Sequence, residues 1–216
     1  MKPRRWKLIA ACLLAMSAGI LTATWENGLP WVRQAPPEVQ GFFWPEQKAL
    51  IPFEMVDHRH DPFTLEDLEG QWTLMFFGYT YCPDICPVTM SVLREAVASY
   101  HDRAPESLSD MQVAFVSVDG ERDTPDHLAA YIRFYDENWI AASGDRDQVD
   151  SLTVQLGVPY EIDEHEPGAL NYLVSHPGSL FLVSPDTKLA ALLQPPLNAE
   201  GLSDDLIKIR RFMARG

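Results

Sequence analysis

The sequence has little cysteine: three in 216 residues, one of which, Cys12, lies in a separate N-terminal apolar segment. A disulfide framework is thereby excluded, and the working pair is Cys82 with Cys86. Positive charge is also scarce. Seventeen Lys and Arg stand against 31 Asp and Glu, a formal net charge of −14, and four of the basic residues fall in the opening MKPRRWK. A body this acidic argues against nucleic acid as partner. It is compatible with a cationic protein partner or with metal handling, and solubility alone explains it equally well. Internal repeats and low-complexity tracts are absent. Apolar residues are plentiful at 46%, enough for the core of one domain or of a small pair of domains.

Leu8 to Trp25 runs eighteen residues without a charge. At about 1.5 Å per helical residue this is close to the hydrocarbon thickness of a bilayer. The basic residues ahead of it predict a cytoplasmic N-terminus, with everything after the span outside. A cleaved signal peptide is the competing reading, but no good small-x-small cleavage site follows the run. Ile9-Ala10-Ala11-Cys12 looks like a lipoprotein box, yet only four apolar or small residues precede Cys12. The expectation is an uncleaved anchor over 1–25 that holds the rest of the chain at the inner membrane, in the periplasm.

Residues 26–50, with Pro30, Pro36, Pro37 and Pro45 among Trp31, Phe42, Phe43 and Trp44, read as an extended tether. The folded domain is expected over 51–216. Within it, Phe53–Val56, Leu74–Phe77, Met111–Val118, Ser179–Val183 and Leu189–Leu193 have strand character, and Thr64 with Asp67 marks a short helical turn. Helices are expected from the cysteine motif through Val97, from Thr124 as cap with Pro125 in the first turn, over Asp147–Leu156, and over Leu202–Met213. Strands alternating with helices, then a terminal hairpin and helix, predict an α/β sandwich around one central mixed sheet.

The stretch WTLMFFGYTYCPDICPVTM is the chemical centre of the chain. Pro83 and Pro87 both suit the opening of a helix, where a missing N–H is tolerated. A helix starting near Cys82 would stack the two sulfurs on one face near its positive end, favouring partial thiolate character. Paired soft thiolates either hold a soft metal ion or cycle between dithiol and disulfide. Three intervening residues, rather than the two of a thioredoxin-type pair, leave a metal needing a third ligand.

Six histidines compete for that place. His101 near a helix C-terminus, His127 in a helix first turn, His58 and His60 beside a turn, and His165 in an acidic loop all read as surface residues. His176 lies just ahead of a core strand, where Pro177-Gly178 forces a bend, and the readings as ligand and as ordinary loop residue weigh about equally. Asp119 ends a strand, where sites gather in such sheets, or else caps its turn.

FFGYTYCPDICP, then FVSVDGERDTPDHLAAYI, then YLVSHPGSLFLVSPD resembles the Sco/SenC family of membrane-tethered copper proteins, and the likeness reaches upstream to DHRHDPFTLEDLEGQW. The resemblance implies a thioredoxin-like fold that binds one copper ion, as Cu(I) or Cu(II), through Cys82, Cys86 and His176. It implies a supporting role for Asp119 in metallation or redox exchange. It further implies a metallochaperone, non-catalytic in the usual sense, that assists assembly of the CuA centre of cytochrome c oxidase. The partner would be the copper-bearing oxidase subunit or another copper protein. A thiol–disulfide oxidoreductase that keeps a partner's cysteines reduced is the alternative. A thiol peroxidase fares worst, because only Thr80 suggests a peroxide site.

Three positions depart from the family pattern. Ser175 stands where aspartate often precedes the histidine, so carboxylate support for His176 is in question. Gly120 replaces a common proline, which predicts a looser loop. His60 takes a turn position usually held by glycine, which predicts local backbone strain.

Overall fold

A computed structural model describes residues 35–105 and 110–214. The chain divides into two units, Met1–Pro36 and Pro37–Gly216. The first lies almost wholly outside the described residues, and so does the anchor expected over Leu8–Trp25. Among the described residues, no helix is long and apolar enough to cross a membrane.

In the second unit the strands are β1 (Gly41–Ala49), β2 (Glu54–Asp57), β3 (Pro62–Thr64), β4 (Trp72–Gly78), β5 (Met111–Ser117), β6 (Ile140–Ser143), β7 (Glu161–Ile162), β8 (Val174–Ser175), β9 (Leu180–Val183) and β10 (Lys188–Leu193). The helices are α1 (Ile85–Arg103), α2 (Pro125–Arg133), α3 (Arg146–Leu156) and α4 (Ala199–Met213), with a 3-10 turn at Glu66–Leu68. The main sheet runs β1-β10-β9-β4-β5-β6-β2-β3, and β7 pairs separately with β8. β4–β5 and β5–β6 are parallel, whereas β9 pairs antiparallel with β4. This is a thioredoxin-like α/β fold around a central mixed sheet.

β4 reads as an unbroken apolar run because helices cover both faces of the sheet. Leu74 and Phe76 point into one core with Leu93 of α1, Leu128 of α2 and Leu206 of α4. Met75 and Phe77 point into the other with Val149 and Leu152 of α3. All four of these β4 side chains are fully buried, and burial of each stabilises the fold by about 1.5–3 kcal/mol. The cap expected at Thr124 is present: its side chain accepts from the His127 N–H, with Pro125 at the first helical position.

The second half of the expected tether joins the sheet. β1 pairs antiparallel with β10, with a register shift between Phe43 and Lys48 in the stretch that contains Pro45. Proline is tolerated there because β1 is an edge strand. Phe43 packs edge-on against Phe212 of α4, and the buried Asp205 accepts from the Gln40 N–H at 2.8 Å. β6 went unread in the sequence because IAAS offers little β-branched or aromatic character.

Candidate metal centre

The cysteine motif crosses from the end of β4 into α1. The helix begins at Ile85, after Asp84, rather than near Cys82 as expected. Pro83 disfavours helical backbone at the residue before it, and the Cys82 N–H turns back to the Tyr79 carbonyl at 3.2 Å. Cys82 is therefore a half-buried loop residue, while Cys86 sits fully buried in the first turn of α1. Both are free thiols.

Gly78 makes room for the deeper sulfur. A Cβ at that position would come 2.6 Å from Cys86 Sγ, so only glycine lets the thiol rest against the strand end. Burial pushes the Cys86 thiol well above its ordinary pKa. The Tyr79 backbone opposes the shift, while Cys82 and Asp123 add to it. The expected partial thiolate therefore does not hold for Cys86 in the metal-free protein, because desolvation outweighs the helix N-terminus.

His176 lies between β8 and β9, and its Nε2 is 3.3 Å from Cys86 Sγ. Its Nδ1 is 3.2 Å from the Pro177 carbonyl, so a proton on Nδ1 donates there and leaves the Nε2 lone pair toward the sulfur. Phe76 and Tyr79 hold the ring edge-on, with centroids 6.0 and 5.7 Å away. Burial lowers the His176 pKa, against the raising effect of the Pro177 and Phe77 backbone, which favours the neutral, ligating form. The ligand atoms of Cys82, Cys86 and His176 all lie within 4.8 Å of one another. Two sulfurs and one imidazole nitrogen fit a soft metal ion. A backbone carbonyl faces the Nδ1 of His176, next to the Ser175 that replaces the family's aspartate.

Asp119 does not join this group. It is fully buried, accepting from Arg122 Nε at 2.5 Å and from the Tyr172 hydroxyl at 2.7 Å. The carboxylate that acts electrostatically on Cys86 is Asp123, at the far end of the same loop. Burial raises the pKa of Asp123, and Ser117 and Thr80 hydrogen bonds pull against that shift. The sequence reading passed over Asp123, although it follows Asp119 by four positions in DGERD. Thr80 is bound to Asp123 rather than free beside a thiol. The loop is not loosened at Gly120, where a Cβ would meet the Gly144 carbonyl oxygen at 1.9 Å. His60 has the positive φ, 68°, that its glycine-type position implies.

The other five histidines lie apart from this group. His58 Nδ1 accepts from the Ala141 N–H, His60 Nε2 faces Asp126, His127 packs on Tyr81, and His165 Nε2 lies 2.9 Å from Glu121. His101 packs against Tyr100, and its buried Nε2 has no hydrogen-bond partner among the described residues.

Comparison with known proteins agrees with this arrangement. A Stutzerimonas stutzeri protein whose name refers to copper binding is 36% identical over 165 residues, covering 76% of this chain and 78% of its own. The human mitochondrial SCO2 homolog is 32% identical over 162 residues, covering 75% of this chain and 59% of its own, so the chain spans just over half of that longer relative. The crystal structure of Arabidopsis thaliana ScoI with copper bound superposes with a TM-score of 0.67 at 29% identity, covering 74% of this chain and 97% of that one. Bradyrhizobium japonicum ScoI with copper bound gives 0.64 at 26% identity, covering 76% and 99%. The SCO1/SenC family profile matches residues 45–211, and with the Cys82–Cys86–His176 cluster in place the chain belongs to the SCO1/SenC family.

Proposed function

We propose that this protein is a copper metallochaperone that carries one copper ion on Cys82, Cys86 and His176. Its task would be to assist assembly of the CuA centre of cytochrome c oxidase. The observation that carries the reading is the convergence of three soft or borderline donors, from positions 82, 86 and 176, within 4.8 Å. A neutral imidazole beside two thiols suits Cu(I), and the half-buried Cys82 leaves the site open to an incoming thiolate. Copper is cargo in this reading, so the site has to release it as well as bind it. The copper-bound relatives support the metal. The anchor expected at Leu8–Trp25, with basic residues ahead of it, supports placing the domain in the periplasm at the inner membrane.

A thiol–disulfide oxidoreductase is the second reading, favoured by two free thiols within reach of each other. The raised Cys86 pKa gives that reading one poor nucleophile, and a reductase has no need of a third soft-metal donor.

Copper stoichiometry of the purified full chain tests the proposal, with Cys82→Ser, Cys86→Ser and His176→Ala beside wild type. One copper per wild-type chain is expected, with loss on either cysteine change. A strain carrying His176→Ala should fail to assemble the oxidase copper centre at limiting copper while its purified protein still reduces a small disulfide. Full oxidase activity in that strain would sink copper delivery in favour of reduction. Release of the protein as a shortened soluble species would sink the membrane anchor.

A further inference from the structure

The loop after β5, residues 119–123, touches both segments that supply the metal group. Asp123 holds the cysteine side, accepting from Thr80 N at 2.8 Å and Thr80 Oγ1 at 2.6 Å. Arg122 makes its hydrogen bonds on the histidine side, while its guanidinium also lies 5.3 and 5.0 Å from the Tyr79 and Tyr81 rings of the cysteine side. Its side chain is 2% exposed, with Nε on Asp119 and Nη1 donating to the carbonyls of Leu170 and Tyr172, each at 2.9 Å. Its guanidinium lies 3.5 Å over the Tyr172 ring, whose hydroxyl returns to Asp119.

The segment gripped in this way lies outside the main sheet. Residues 163–173 form neither helix nor strand. Leu170 and Leu173 are 63% and 59% exposed, so Tyr172 is its main apolar anchor. Further ties come from Glu121, which accepts from Gly168 N and faces His165, and from Asp163, whose backbone N–H reaches Leu173 O. The segment runs directly into β8 and His176.

We infer that Arg122 is a positioning residue for the third ligand. By holding two carbonyls ahead of β8 it sets how firmly the His176 imidazole is kept at the sulfurs, while bonding to neither sulfur. Lysine at 122 keeps a charge for Asp119 but cannot bond Asp119 and both carbonyls in one plane. The inference rests on the reading of His176 as a ligand.

The test uses the full chain loaded with Cu(II), in wild-type, Arg122→Lys, His176→Ala and doubly substituted forms. Thiolate-to-copper absorption reports the cysteines, and nitrogen coupling in the electron paramagnetic resonance spectrum reports the imidazole. Arg122→Lys is expected to keep the thiolate band, to weaken or lose the nitrogen coupling, and to bind copper about 10- to 100-fold less tightly. In the His176→Ala background the same change should add no further loss. Wild-type nitrogen coupling and affinity in Arg122→Lys would overturn the inference. So would loss of the thiolate band in step with the nitrogen signal, or a full additional loss in the double variant. If His176→Ala itself leaves coupling and affinity unchanged, the ligand reading fails first, and the inference with it. Should Arg122→Lys not fold, Asp119→Asn/Arg122→Gln, which removes both charges of the buried pair together, carries the same comparison.

Discussion

Thr80 donates both its backbone N–H and its hydroxyl to one carboxylate, that of Asp123, and so ties the loop two residues ahead of Cys82 to the end of β5. The Ser117 hydroxyl donates to the same group from inside the core. Asp123→Ala removes the acceptor of one buried donor, Ser117, and of two half-buried ones on Thr80 that water can partly meet; a buried donor left unmet costs about 1–3 kcal/mol. The expected outcome is a loss of about 2–4 kcal/mol in urea unfolding of the metal-free protein, with weakened copper binding beside it.

Gly78→Ala separates fold from site. The added Cβ would meet Cys86 Sγ at 2.6 Å, so the sulfur has to move while the strand pairs on either side remain. Overpacking of this kind costs about 1–3 kcal/mol. The variant is expected to fold, with native far-ultraviolet circular dichroism, and to lose most of its copper affinity. Wild-type copper titration by Gly78→Ala would show that the Cys86 sulfur is not confined at the strand end.

Proton release should accompany metal uptake. Because burial holds the Cys86 thiol protonated near neutral pH, binding it as a thiolate expels that proton. Affinity should therefore rise about tenfold per pH unit for each proton released, through the neutral range. Calorimetry in two buffers of different ionisation enthalpy counts the protons directly. A count of zero at pH 7 would mean Cys86 is already ionised.

His176 gives a pH dependence of stability that also comes from burial. Its pKa is lowered by burial from an ordinary value of 6.5, so below that value the unfolded chain takes a proton that the folded chain refuses. The stability linked to His176 is therefore present above about pH 6.5 and lost as pH falls through the folded pKa. His176→Ala should flatten the unfolding profile of the metal-free protein below about pH 6.5.

β1 can be tested by contrast within one strand. Phe43 is half-buried against Phe212, whereas Phe42 is 57% exposed. Phe43→Ala is expected to cost about 1–3 kcal/mol and Phe42→Ala no more than about 0.5 kcal/mol. Equal effects in thermal unfolding would mean that β1 does not pack as described.

Much of this was legible in the chain because its signals are local. The β4 run, the Thr124-Pro125 cap and the two prolines of the cysteine motif act within a few residues, and strand, helix and thiols stand near where they were read. β1 was not legible as a strand, because Pro45 and the aromatics around it look the same in a tether as at a sheet edge. What decides between them is Asp205 and Phe212, more than 160 positions away. The ionisation of Cys86 was misjudged for a related reason. A helix N-terminus is visible in sequence, but complete burial is a property of the assembled core. Asp119 drew the reading to itself, while Arg122 and Asp123 in the same loop also touch the two segments that carry His176 and the cysteines.

The separation of 90 residues between Cys86 and His176 also has a consequence in time. Synthesis at about 5–20 residues per second brings out the imidazole roughly 5–18 s after the second thiol. Throughout that interval the growing chain carries a dithiol without His176 to cover it. A ribosome stalled before residue 176 would display the pair in that state, open to oxidation and to any passing metal, and the third donor arrives only with the last fifth of the chain.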